Sequence, residues 1–239
     1  MNNLVLNNKR AADTLAENII SEVCQQLGKF LTEAQRMTKD YFKNIENFAT
    51  NLKEGDIVLT FNYDTLLERA ILKKKSLASL PKYVLEENKI VIFKLHGSIS
   101  WFHEDNLESI VPLKRNLFTT LEDILYVNNF DSVFNEQECL IKKAFIEPTY
   151  FKEPNSNMLK RVWREAKEVL GNANEIIIIG YSMPAGDLSA RCLLQYANRK
   201  EDQRITVINP DSSLKYRFEQ IFGKIDFVQT TFELSEYGR

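Results

Sequence analysis

Apolar positions recur along the first quarter of the chain at steps of three and four. Ala12, Leu15, Ile19, Val23, Leu27 and Leu31 give one face of a helix over residues 10–31. Phe42, Ile45, Phe48, Ala49 and Leu52 give a second amphipathic helix over 38–52. Gly55 then breaks the period, and the pattern changes to short apolar, β-branched runs. These are Asp56–Phe61, Ile90–Leu95, Glu175–Ile179, Ile205–Ile208 and Ile225–Val228, each read as a buried strand. Helices over about 157–170, 185–198 and 212–222 fall between the later runs. Strands alternating with helices predict an α/β fold with a Rossmann-like parallel sheet and flanking helices. The stretch from about 99 to 145 scatters aromatic residues among acids and amides, and is expected to be a mostly helical insertion. The whole chain, 1–239, reads as one domain.

Length and composition narrow the class. A chain of 239 residues can bury a substantial core, and 44% hydrophobic with 27% charged residues is ordinary globular usage. The net charge of -2 offers no basic excess for a phosphate backbone, so nucleic acid is an unlikely partner. The run Lys73–Lys75 reads as a solvated helix end, where cations are favoured. Cys24, Cys139 and Cys192 form no Cys-x-x-Cys pair, which excludes a four-cysteine zinc site within one chain. No metal is expected. The opening residues lack the apolar core of a signal peptide, and no apolar run reaches the ~20 residues of a membrane span. A cytoplasmic protein without a membrane partner is expected.

Ligands of open parallel sheets bind beyond the C-terminal ends of the strands. The residues that follow each apolar run are therefore the informative ones. They are Thr60-Phe-Asn-Tyr-Asp64, Lys94-Leu-His-Gly-Ser98, Gly180-Tyr-Ser182 and Asn209-Pro-Asp211. A parallel sheet puts an amide, an imidazole, a hydroxyl and glycine backbone along one edge. Each piece also has a plain structural reading. Asn62, Asp64 and Asp211 suit helix caps, and Gly180-Tyr-Ser182 suits a tight strand-to-helix turn. His96 stands out because Gly97 after it lets the backbone turn sharply. His103, between Phe102 and Glu104, reads as surface or lid. No Gly-x-Gly-x-x-Gly, P-loop or Gly-x-Ser-x-Gly elbow is present.

Together these segments resemble the sirtuin superfamily, and within it the bacterial sirtuin-like branch associated with NAD hydrolysis in phage defence. Thr60–Glu68 is similar to the family's Thr-x-Asn-x-Asp motif, and Lys94–Trp101 to its His-Gly motif. Ile146–Lys152 resembles a segment common in the bacterial branch. Ile179–Pro184 and Val207–Pro210 look like its adenosine- and ribose-binding turns, all in family order. The resemblance implies NAD as the substrate and cleavage of its nicotinamide–ribose bond. It implies catalytic roles for Asn62, which orients ribose and water, and His96, the general base. It implies NAD contacts from Thr60, Asp64, Gly97, Gly180, Ser182 and Asn209. Two departures stand beside it. Members usually carry an N-terminal strand and a Gly-Ala-Gly-x-Ser loop for the diphosphate, which this chain lacks, and the zinc-binding cysteines of deacetylases are missing. The missing loop keeps open a non-catalytic module that senses NAD or ADP-ribose. The apolar faces of the N-terminal helices keep open a homo-oligomer or a partner protein.

Overall fold

The computed structural model describes residues 39–74, 82–83, 85–104, 110–112, 141–145, 157–197, 200 and 202–239. The helix expected over 10–31 lies outside them. The first described helix, α1 (Lys39–Asn51), is followed by β1 (Ile57–Thr60), α2 (Leu66–Lys74) and β2 (Val91–Lys94). Then come three strands, β3 (Gly97–Glu104), β4 (Ile110–Pro112) and β5 (Ile141–Phe145). The remaining elements are α3 (Asn157–Asn172), β6 (Glu175–Ile179), α4 (Leu188–Gln195), β7 (Arg204–Ile208), a 3-10 turn (Ser212–Leu214), α5 (Lys215–Phe222) and β8 (Asp226–Val228). The five strands expected from the apolar runs are all present, within about one residue of their expected cores.

These five form two parallel ladders. β1 pairs β2 with Ile57 opposite Val91 and Thr60 opposite Lys94. β7 pairs β6 on one side and β8 on the other, both parallel. The ladders share one core. Val91, Phe93 and Leu95 from the first, Ile176, Ile205 and Val207 from the second, and Leu159, Val162, Ala166 and Leu170 of α3 belong to a single buried cluster. The spacing of those four α3 residues explains the packing, since steps of three and four put them on one helical face. β2 is buried at all four positions, as a strand covered on both faces must be. A second cluster joins Ala49 and Leu52 to Ala70, Ile71, Ile90 and Ile92, and so docks α1 and α2 against the other face.

The region expected as a mostly helical insertion is different where it is described. β3 is the centre of an antiparallel sheet, ordered β4-β3-β5, with Phe102 opposite Val111 and Lys143. The apolar–polar alternation of Ser98-Ile-Ser-Trp101 breaks at Phe102, and Phe102 and His103 have antiparallel partners on both sides. Residues 105–109 and 113–140 lie outside the described part, as does the Ile146–Lys152 segment. Gly97, with φ of +82°, makes the sharp exit from β2 into this sheet.

Candidate functional site

The two parallel ladders meet at their C-terminal ends. Phe61, just past β1, stacks on Tyr181, just past β6, with ring centroids 4.7 Å apart. The imidazole of His96, two residues past β2, lies 5.1 Å from the Phe61 ring and 5.7 Å from the Tyr63 ring. So the loops after β1, β2 and β6 converge, as a parallel sheet requires of its C-terminal ends.

His96 is 2% exposed. Its Nε2 stands 3.4 Å from Oδ2 of Asp187, itself 2% exposed. Sequence reasoning missed Asp187. It occupies the N-cap position of α4, where an aspartate usually accepts a backbone N–H, yet its side chain makes no cap bond. Burial pushes the Tyr181 phenol well up, and the charge of Asp187 adds to that. Tyr181 is therefore a neutral neighbour of the pair at ordinary pH.

Asn62 is exposed, between the two aromatic residues whose rings face His96. Its backbone N–H donates to Thr60 Oγ1 at 3.1 Å, so Thr60 shapes the loop that presents the amide. Asp64 serves the fold, because its Oδ1 accepts from the N–H of Leu66 at 3.0 Å and closes the turn that leads into α2. The backbone carbonyl of Asp64 accepts from Lys94 Nζ, and Lys94 also pairs with Glu68 at 3.0 Å. Ser98 Oγ donates to the Tyr63 carbonyl at 3.3 Å. The Trp163 indole donates to the Leu95 carbonyl at 2.6 Å. β1's loop and β2's end are thus tied together directly beside the imidazole.

On the other ladder, Gly180 takes φ of +67°, and a β-carbon built there would meet nothing within 4 Å. Its N–H donates to the Ile208 carbonyl at 3.0 Å, so what the glycine leaves open is the space a side chain would fill. Ser182 is exposed. Met183, buried at 3%, holds φ of +51°, unusual for a residue with a side chain. Strain of this kind clusters at functional loops. Asn209 is 5% exposed, and its side chain works internally: Nδ2 donates to the Tyr181 carbonyl at 3.2 Å, and Oδ1 accepts from Asp211 N at 3.0 Å. It fastens the end of β7 to the loop after β6. Asp211 Oδ1 accepts from Ser213 N at 2.9 Å, the cap its position suggested.

The arrangement defines a Rossmann-like α/β domain with polar and glycine-bearing loops gathered at one sheet edge. Its sequence matches the family model described as SIR2-like domain over residues 56–224, and the chain belongs to that family. No curated protein matches the chain. SIR2-like domains are typically NAD-dependent enzymes, so membership points to NAD chemistry. The edge carries an exposed amide at Asn62, an exposed hydroxyl at Ser182, side-chain-free space at Gly180 and a buried imidazole at His96. Among the described residues there is no group of three or more metal-ligating side chains. None of the described helices is long and apolar enough to cross a membrane.

Proposed function

We propose that the chain is an NAD glycohydrolase that cleaves the nicotinamide–ribose bond. The observation that carries the reading is the buried His96–Asp187 pair at the C-terminal sheet edge, beside the exposed Asn62. Water and NAD would give nicotinamide, ADP-ribose and one proton. Nicotinamide leaves neutral, so no general acid is needed. The transition state resembles an oxocarbenium ion, as in glycoside hydrolysis. The protein must hold the ribose, place water about 3 Å from the anomeric carbon, and accept a proton. An amide both donates and accepts hydrogen bonds, so Asn62 suits the placing. His96 suits the acceptance of the proton. Thr60 shapes the Asn62 loop, Gly97 turns the chain after His96, Gly180 leaves room for close approach of the adenosine side, and Ser182 offers it a hydroxyl. The cytoplasm is where this substrate is met, and antiviral NAD depletion is the role the motif resemblance implies.

A second reading is a module that binds NAD or ADP-ribose without cleaving it. It is favoured by the internal commitments of Asp64 and Asn209, whose side chains hold the fold together. Incubating the purified chain with NAD and following nicotinamide by chromatography separates the two. Release that disappears in His96→Ala supports hydrolysis. No release, with a calorimetric signal for NAD or ADP-ribose, supports the module and overturns the enzyme.

A further inference from the structure

A buried carboxylate is costly unless something nearby makes use of its charge. Asp187 is such a group, and the position it holds sharpens the point. It begins α4 as the N-cap residue, where its oxygen could accept from the helix's free N–H groups. Instead the side chain makes no cap bond, and its Oδ2 stands 3.4 Å from the imidazole Nε2 of a residue 91 positions away in sequence, close enough for charge to act though not in hydrogen-bonding geometry. Its backbone is held independently. Asp187 N donates to the Pro184 carbonyl at 3.1 Å, and its own carbonyl accepts from Arg191 N at 3.1 Å. The carboxylate is therefore delivered to His96 by a fixed helix start.

Phe61 and Tyr63 present rings to the imidazole. Lys94, two residues before His96, is engaged with Glu68 and with the Asp64 carbonyl. Tyr181 is held neutral by burial and by Asp187 itself.

We propose that Asp187 is the positioning residue for His96: its charge, 3.4 Å from Nε2, favours the neutral tautomer with the proton on Nε2 and so leaves the lone pair on Nδ1 to take a proton. The carboxylate also stabilises the imidazolium formed when that proton arrives, without being protonated itself. The inference rests on the reading of His96 as general base, but its central statement concerns a tautomer, which is observable without any substrate.

The chain has two histidines, so long-range 1H–15N spectra of the labelled protein contain two imidazoles, and His96→Gln assigns them. Wild type should show His96 with a protonated Nε2 and a bare Nδ1. Asp187→Asn turns an amide N–H toward Nε2 and should move the proton to Nδ1. Asp187→Glu should keep the wild-type tautomer. A wild-type His96 carrying its proton on Nδ1, or a tautomer indifferent to Asp187→Asn, overturns the proposal, whatever the chain does to NAD. If Asp187→Asn fails to fold, the wild-type spectrum alone still decides. In the nicotinamide-release assay, Asp187→Asn should lower kcat by about 10²–10⁴-fold with KM changed little, because proton acceptance rather than binding is lost. Asp187→Glu should recover part of that loss. A loss expressed in KM alone would place Asp187 in substrate binding and end the positioning role. A wild type that releases no nicotinamide defeats the functional reading, and the spectra then judge the tautomer on their own.

Discussion

Lys94 and Glu68 form an ion pair 3.0 Å apart, with both side chains 1% exposed. Lys94 is the last residue of β2 and Glu68 lies in the first turn of α2, so the pair locks the loop carrying Asn62 against the strand that carries His96. Removing one partner leaves the other as an uncompensated buried charge. Lys94→Met should therefore cost about 3–5 kcal/mol of stability, and the double variant Lys94→Met, Glu68→Leu should cost much less than that. Urea unfolding of the three proteins checks this. A single variant as stable as wild type would show that the pair is not closed in solution.

Glu46 of α1 pairs with Lys73 and Lys74 at the end of α2. Burial pushes its carboxyl up, but the two ammonium groups outweigh that and hold it below its ordinary 4.5. Lys73 and Lys74 lie in the last turn of α2 and are exposed, as expected of a solvated helix end, and they also reach across to α1. A depressed carboxyl stabilises the fold above its unfolded value and loses that contribution as pH falls through the folded value. Stability should be flat on this account from neutrality down to about pH 5, then decline. Glu46→Gln should lower stability at pH 7 and remove its share of the acid decline. Urea midpoints measured against pH would show it, and identical acid limbs in both proteins would refute the pairing.

Gln203, just before β7, donates from Nε2 to the carbonyls of Leu170 at 2.8 Å and Ala173 at 2.6 Å. The last carbonyls of a helix have no partners within it, and here one amide serves the end of α3. Gln203→Ala should cost about 1–3 kcal/mol, the penalty for orphaned buried acceptors, and leave nicotinamide release per folded molecule unchanged. Unfolding midpoint and specific activity, measured together, separate a scaffold role from a site role.

The strands were legible because runs such as Ile-Val-Leu-Thr at 57–60 and Glu-Ile-Ile-Ile-Ile at 175–179 suit a sheet buried on both faces. The convergence of Phe61, His96 and Tyr181 was legible too, since parallel pairing brings the C-terminal ends of strands together. Two things were not. β3 was hidden because its alternation lasts only from Ser98 to Trp101, and its pairing depends on strands seven and thirty-seven residues away or more. Asp187 was hidden because an aspartate before a helix already has a local explanation as a cap. Only the fold reveals that its side chain declines the cap and meets His96. The one available hint was its place in the loop after β6, at the edge where His96 was already expected.

Asp64 tests how far a residue at this edge serves the fold and how far a ligand. Its Oδ1 accepts from the N–H of Leu66 in the turn that leads into α2, a role that a serine hydroxyl also fills. Asp64→Ala should therefore lose about 1 kcal/mol of stability, while Asp64→Ser should keep it. If the carboxylate also contacts the nicotinamide amide, Asp64→Ser should weaken NAD binding without unfolding anything, because the second oxygen and the charge are gone. Asn62→Ala gives the complementary pattern. Its side chain is exposed, so the urea midpoint should stay put while turnover falls by about 10²–10⁴-fold. Calorimetry with NAD and urea unfolding on the three variants read these effects separately. Full NAD affinity in Asp64→Ser would confine Asp64 to its turn and leave Asn62 and His96 to carry recognition at this end of the sheet.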